Sequence, residues 1–183
     1  MKARCSCGTR LSAGNDSGTG GGILSGGTLT VRSSTIASNT GHWETGGIVA
    51  WGATRFKNTI VARNWGYPTN CYEAVHSTGH NLENGRSCGF TRASDVRANP
   101  RLGPLRDNGG PTFTHQLLSG SPAIDAGGPA FPPTDQRGVV RPQGPASDIG
   151  AFEADAQRCE TVGTPGNDVI VGTRGDEVIW ESR

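Results

Sequence analysis

The side chains that could do chemistry in this chain form a short set. Hydrolysis of a glycosidic bond needs two carboxylates facing each other across it. The acids on the repeating part of the chain are few, Asp16, Glu44, Glu73 and Glu83, and none recurs at a common spacing. The four histidines, His42, His76, His80 and His115, fall in expected turns or in the C-terminal part and lack metal-type spacing. The cations are better placed. Arg32 and Lys57 stand 25 residues apart, and Arg55 lies two residues before Lys57. In a strand, Arg55 and Lys57 share the outward face and Phe56 points in. Like charges stacked this way repel unless solvated or matched by an anion. Arg32, Arg55 and Lys57 are therefore either a solvated face or a shallow stripe for an acidic polysaccharide or cell-surface glycan.

The elements that would position these residues come from an internal repeat. Residues 20–41 align on 45–66 at an offset of 25 without a gap. Seven positions are identical: Gly21/Gly46, Gly22/Gly47, Ile23/Ile48, Gly27/Gly52, Ala37/Ala62, Asn39/Asn64 and Gly41/Gly66. Each copy holds short runs (Gly22–Ser25, Thr28–Arg32, Thr35–Ala37) separated by Gly, Ser or Asn. The runs are too short for helices, and their Thr, Val and Ile favour strands. Three short strands and their turns per repeat describe one rung of a parallel β-helix, whose apolar face is buried only by stacking on a neighbour. Recurrent Gly is expected to supply turns with φ > 0. Asn39 and Asn64 are expected at one corner, with their amides bonding along the axis. The competing arrangement is a flat antiparallel sheet.

Composition agrees with such a chain. Gly accounts for 29 of 183 residues, about 16% against a usual ~7%. The hydrophobic share is 33% and the net charge is +1. No apolar run reaches the ~18 residues of a transmembrane helix, and Gly shows no three-residue period. The balanced charge is no nucleic-acid footprint.

Five cysteines, Cys5, Cys7, Cys71, Cys88 and Cys159, leave at least one thiol free or paired between chains. Cys71 and Cys88 sit in a polar, turn-rich stretch and look like a pair. Closing that loop is worth roughly 3 kcal/mol. A disulfide implies an oxidising compartment; the alternative is a reduced cytosolic pair. The first residues contain no apolar h-region. A C-terminal portion of a longer secreted protein, with more rungs upstream, would reconcile these features.

At GGGILSGGTLTVRSSTIASN and NTIVARN the chain resembles bacterial surface proteins with right-handed parallel β-helix repeats. NPRLGPLRDNGGPTFTHQLLSGSPAIDAG and TDQRGVVRPQGPASDIGAFE are similar to the C-terminal end of that family, the choice-of-anchor Q region. The resemblance covers about residues 18–154. It implies a secreted or cell-surface β-helix; it does not imply a catalytic activity. Residues 99–154 are rich in Pro, which limits regular pairing. They are expected to form an irregular cap over the last rung. Asp125, Asp135, Arg137, Arg141, Asp148 and Glu153 are either a carboxylate site for metal or sugar, or an ion-pair and turn network.

The tail, 155–183, has a period of nine. Gly163, Gly166, Asn167 and Asp168 are followed by Gly172, Gly175, Asp176 and Glu177. It resembles the hemolysin-type calcium-binding nonapeptide of β-rolls. Gly turns present carbonyl oxygens and the acids supply charge, which suits Ca²⁺. Two copies make one turn of such a roll, so the ion sites are half-sites.

The sequence thus predicts an all-β protein: a right-handed parallel β-helix of few rungs over 1–98, a cap over 99–154 and a β-roll-like tail over 155–183. The function expected is a non-catalytic, secreted or cell-surface structural or adhesion module with weak calcium binding. The alternative is a fragment of a carbohydrate-active β-helix, of lyase or epimerase type, whose catalytic rungs lie upstream.

Overall fold

The computed structural model describes residues 4–73, 75–129 and 131–155. They form a right-handed parallel β-helix of about three turns. The first turn holds β1 (Arg4–Gly8), β2 (Leu11–Ala13) and β3 (Asp16–Ser17). The second holds β4 (Ile23–Ser25), β5 (Thr28–Arg32), β6 (Thr35–Ala37) and β7 (Thr40–Gly41). The third holds β8 (Ile48–Ala50), β9 (Thr54–Lys57) and β10 (Ile60–Ala62). Shorter coils follow, with β11 (His76–Ser77), β12 (Leu82–Glu83) and β13 (Val96–Arg97). Among the described residues no helix is long and apolar enough to cross a membrane.

Stacking joins like strands into flanks. One flank runs β1-β5-β9-β11, and a second runs β13-β12-β10-β6-β2. Two short ladders, β3-β7 and β4-β8, complete the coil. The 25-residue offset is the pairing register itself. Ile23 pairs with Ile48, Val31 with Phe56, Ile36 with Val61 and Thr40 with Trp65. The inward residues Leu29, Val31, Ile36, Ile48, Phe56 and Val61 stack into one core. Burying each such side chain contributes roughly 1.5–3 kcal/mol. Toward the later coils this core is closed by Val75, the Cys71–Cys88 disulfide and Phe90, whose ring lies 6.1 Å from that of Phe56.

Glycine plays a second part besides the expected one. Gly14, Gly20, Gly66 and Gly79 do take positive φ, but other left-handed corners of the coil are not Gly. Thr9, Ser33 and Asn58 take φ of 32°, 45° and 50° at one corner, and Ser38 and Arg63 take 59° and 58° at the next. Recurrent glycines also permit close approach of stacked backbone. A Cβ on Gly22 would stand 2.7 Å from Gly47 O, and one on Gly47 would collide with Asn70 O.

The C-terminal segment also lies elsewhere than expected. It packs along the side of the coil rather than only over its last rung. On the second flank, the outward Ala37, Ile60, Ala62 and Leu82 are fully buried beneath Leu102, Leu117, Ala123, Ile149 and Phe152. Thr35 Oγ1 accepts a hydrogen bond from Ala151 N at 3.1 Å. The corner residue Asn58 holds Gly128 at both ends, its Oδ1 accepting from Gly128 N at 2.8 Å and its Nδ2 donating to Gly128 O at 3.3 Å. This segment is not wholly irregular. β14 (Leu102–Arg106) and β15 (Thr114–Leu117) form an antiparallel hairpin, with a register shift between Leu102 and Leu105 beside Pro104.

Candidate functional site

With the second flank covered, the β1-β5-β9-β11 flank is the broad sheet face left open. Burial alternates along β5 and β9: Leu29, Val31, Thr54 and Phe56 are inside, while Arg32 and Arg55 are exposed. Arg32 and Lys57 are register partners. Arg55 pairs with Thr30 on one side and with His76 on the other. Neighbouring strands lie ~4.8 Å apart, so these cations form a tight two-row patch. Among the described residues none of Arg32, Arg55 and Lys57 forms an ion pair. Chemically the patch is a set of charged donors fixed by a rigid sheet, suited to holding anionic groups.

The other sequence-level candidates are occupied with structure. Glu83 is 2% exposed. Its Oε1 accepts from Asn70 Nδ2, Ser87 Oγ and Cys88 N at 3.1–3.2 Å. Asp16 and His42 are solvent-exposed and meet at 2.6 Å. His76 stands in a strand, not in a turn, facing solvent beside Arg55. His80 Nδ1 lies 3.0 Å from Ala126 O, tying the coil to the C-terminal segment. His115 is buried in the hairpin, with Nδ1 2.7 Å from Gly103 O. Burial holds its imidazole below the usual pKa; the Gly103 bond opposes that shift and the nearby Arg63 charge adds to it.

Four of the six charges of the C-terminal segment, Asp135, Arg141, Asp148 and Glu153, are buried, and they join Arg137 in one network. Arg137 pairs with Asp135 at 2.8 Å and lies 3.6 Å from the centre of the Phe152 ring. Arg141 pairs with Glu153 at 3.0 Å and donates to Asp148 O and Gly150 O. Burial lowers the Arg141 pKa despite its three acidic neighbours. Glu153 also accepts from Gln143 N and Asp148 N, and Asp148 accepts from Asp125 N at 2.8 Å and Ala154 N at 2.5 Å. Burial outweighs those two donors and pushes the Asp148 carboxyl up to about 7. Asp135, Asp148 and Glu153 are therefore bound to the protein's own donors, and the network organises the loop folded against the second flank.

Among the described residues no group of three or more His, Cys, Asp and Glu side chains is arranged to hold a metal ion. The calcium positions Gly163, Gly166, Asn167, Asp168, Gly172, Gly175, Asp176 and Glu177, and Cys159, lie outside the described residues. Cys71 and Cys88 are joined.

One polar array extends further than the repeat alignment indicates. Asn39 and Asn64 stack, but the ladder begins at Asn15 and continues to Asn70 and Asn84. Successive Nδ2-to-Oδ1 bonds measure 2.8, 3.0, 3.1 and 3.0 Å. Asn15 is 24 residues before Asn39, and Asn70 only six after Asn64, so neither falls on the 25-residue offset. A search for Asn at variable spacing would have found them. The chain matches no protein-family model, no curated protein and no solved structure.

Proposed function

We propose that this chain is a non-catalytic β-helix module of a secreted or surface-attached protein, and that its open flank holds an acidic polysaccharide. The observation that carries the reading is the alignment of Arg32 with Lys57, flanked by Arg55, on a sheet face with no ion-pairing partner among the described residues. Stacked like charges cost energy unless an anion or solvent offsets them, and a rigid sheet fixes their spacing before any ligand arrives. The disulfide supports an oxidising compartment. The resemblance of residues 18–154 to such surface proteins, read from the sequence alone, is the ground for a secreted or surface-attached setting. In this reading the tail residues around Asp168 add weak calcium binding.

The test is migration of the folded chain through gels containing polygalacturonate. The wild type is slowed at low salt, and exchange of Arg55 and Lys57 for Ser removes most of the retardation. Unchanged retardation of that variant would remove the stripe from the reading. For the tail, calcium raises the thermal midpoint of the chelator-treated chain, because a ligand that binds only the folded state stabilises it. A rise that survives Asp168→Ala would contradict the calcium assignment.

A further inference from the structure

We infer a second saccharide subsite, for an uncharged sugar ring, in the groove beside Trp65. It lies on the β3-β7 flank, apart from the basic patch. Asp16, Thr40 and Trp65 occupy successive turns at one register position. The first two turns fill that position with an acid and a small hydroxyl. The coil itself therefore has no need of an indole there, yet Trp65 stands 72% exposed. Leaving so large an apolar ring in water forfeits the burial that usually holds Trp in place.

The groove beside it has a volume of about 630 Å³ and is lined by Ser38, Thr40, Arg63, Thr69 and Asn84 as well as Trp65. That volume is in the range of small-ligand sites, ~300–1,000 Å³. One lining residue is aromatic, and the others carry hydroxyl, amide and guanidinium groups. A pyranose has the matching chemistry, with an apolar C–H face and a rim of hydroxyls that both donate and accept. The Asn84 amide is already oriented, because its Oδ1 accepts from Asn70 Nδ2 at 3.0 Å and from Arg63 N at 3.3 Å. Its NH₂ has no partner among the described residues and is left to donate. A second indole, that of Trp43, is 85% exposed and lies against Gly18, just after β3 on the same flank. Tyr67, two residues after Trp65, is 91% exposed as well, and aromatic faces beside hydroxyl and amide groups match the chemistry of a sugar ring.

The experiment runs the full chain through gels containing hydroxyethyl cellulose, galactomannan or xyloglucan, and follows indole emission on titration with each polymer. At least one polymer is expected to retard the wild type and shift its emission. Trp65→Ala should weaken that interaction at least about tenfold, with an unchanged thermal midpoint, while Trp65→Phe keeps most of it. Thr69→Arg, which fills the groove, should weaken it as well. The Arg55/Lys57 variant should bind the neutral polymer as the wild type does. Loss of polygalacturonate retention with neutral retention intact would separate the two sites. No retardation by any of the three polymers, or equal retardation of wild type, Trp65→Ala and Thr69→Arg, would overturn the assignment.

Discussion

Replacing Asn39 with Ala should cost this coil more than a typical surface change by several-fold. The Asn39 side chain is fully buried. Its Oδ1 accepts from Asn15 N at 3.1 Å and Asn15 Nδ2 at 2.8 Å, and its Nδ2 donates to Ser12 O and Asn64 Oδ1, both at 3.0 Å. At about 1 kcal/mol net per bond, those four bonds are worth about 4 kcal/mol. In a domain of this size that corresponds to a fall in Tm of roughly 8–16 °C. Asn39→Asp should be worse, because it replaces both donors with an acceptor and buries a charge. Urea unfolding followed by far-UV circular dichroism gives the free energies directly. The double variant with Asn64→Ala should lose less than the sum of the single losses by about 1 kcal/mol, since the two amides share a bond. A loss below about 1 kcal/mol for Asn39→Ala, or strict additivity with Asn64→Ala, would refute the view that the amide ladder ties the turns together.

Other outcomes follow from packing and titration. Gly47→Ala should destabilise by about 3 kcal/mol, because the new Cβ meets Asn70 O, whereas Gly26→Ala points into open space and should change stability by less than about 1 kcal/mol; paired urea titrations compare them. The Asp148 carboxyl has a folded pKa of about 7 against an ordinary 3.8. Below pH 3.8 both folded and unfolded chains hold that proton. Between there and about 7 only the folded chain keeps it, so this group's contribution to stability falls as pH rises through the window and is flat above it. Amide exchange in residues 123–127 and 147–154 should therefore speed up from pH 5 to pH 7.5, after correction for intrinsic rates, more in wild type than in Asp148→Asn. An equal pH slope in the two proteins would contradict the assignment.

The repeat was legible because stacked rungs keep the same small residues at the same register. Gly21/Gly46, Ile23/Ile48 and Asn39/Asn64 gave the offset that the strand pairs use. The reason for the glycines was not legible, since composition does not distinguish a left-handed turn from a close backbone approach. Ser33, Asn58 and Arg63 take left-handed corners, and Gly22 and Gly47 clear the path of neighbouring backbone. The position of residues 99–154 leaves a trace in the outward residues of the coil. The outward positions of β6 and β10 are Thr35, Ala37, Ile60 and Ala62, largely apolar, whereas those of β5 and β9 are Thr30, Arg32, Arg55 and Lys57. An apolar outer face on one flank implies a cover, and here the C-terminal segment supplies it. Trp65 carried no sequence signal of its own, because its exposure depends on the narrow polar turn it extends from.

An amide chemical-shift titration of the isotope-labelled chain with oligogalacturonate tests, residue by residue, whether the β1-β5-β9-β11 flank holds anionic sugar. The predicted result is a saturable, salt-sensitive shift centred on Thr30, Arg32, Arg55, Lys57 and His76, weakened as the ionic strength passes ~0.15 M. Shifts confined to the loop around Arg137 and Arg141, or none at millimolar sugar, would contradict it.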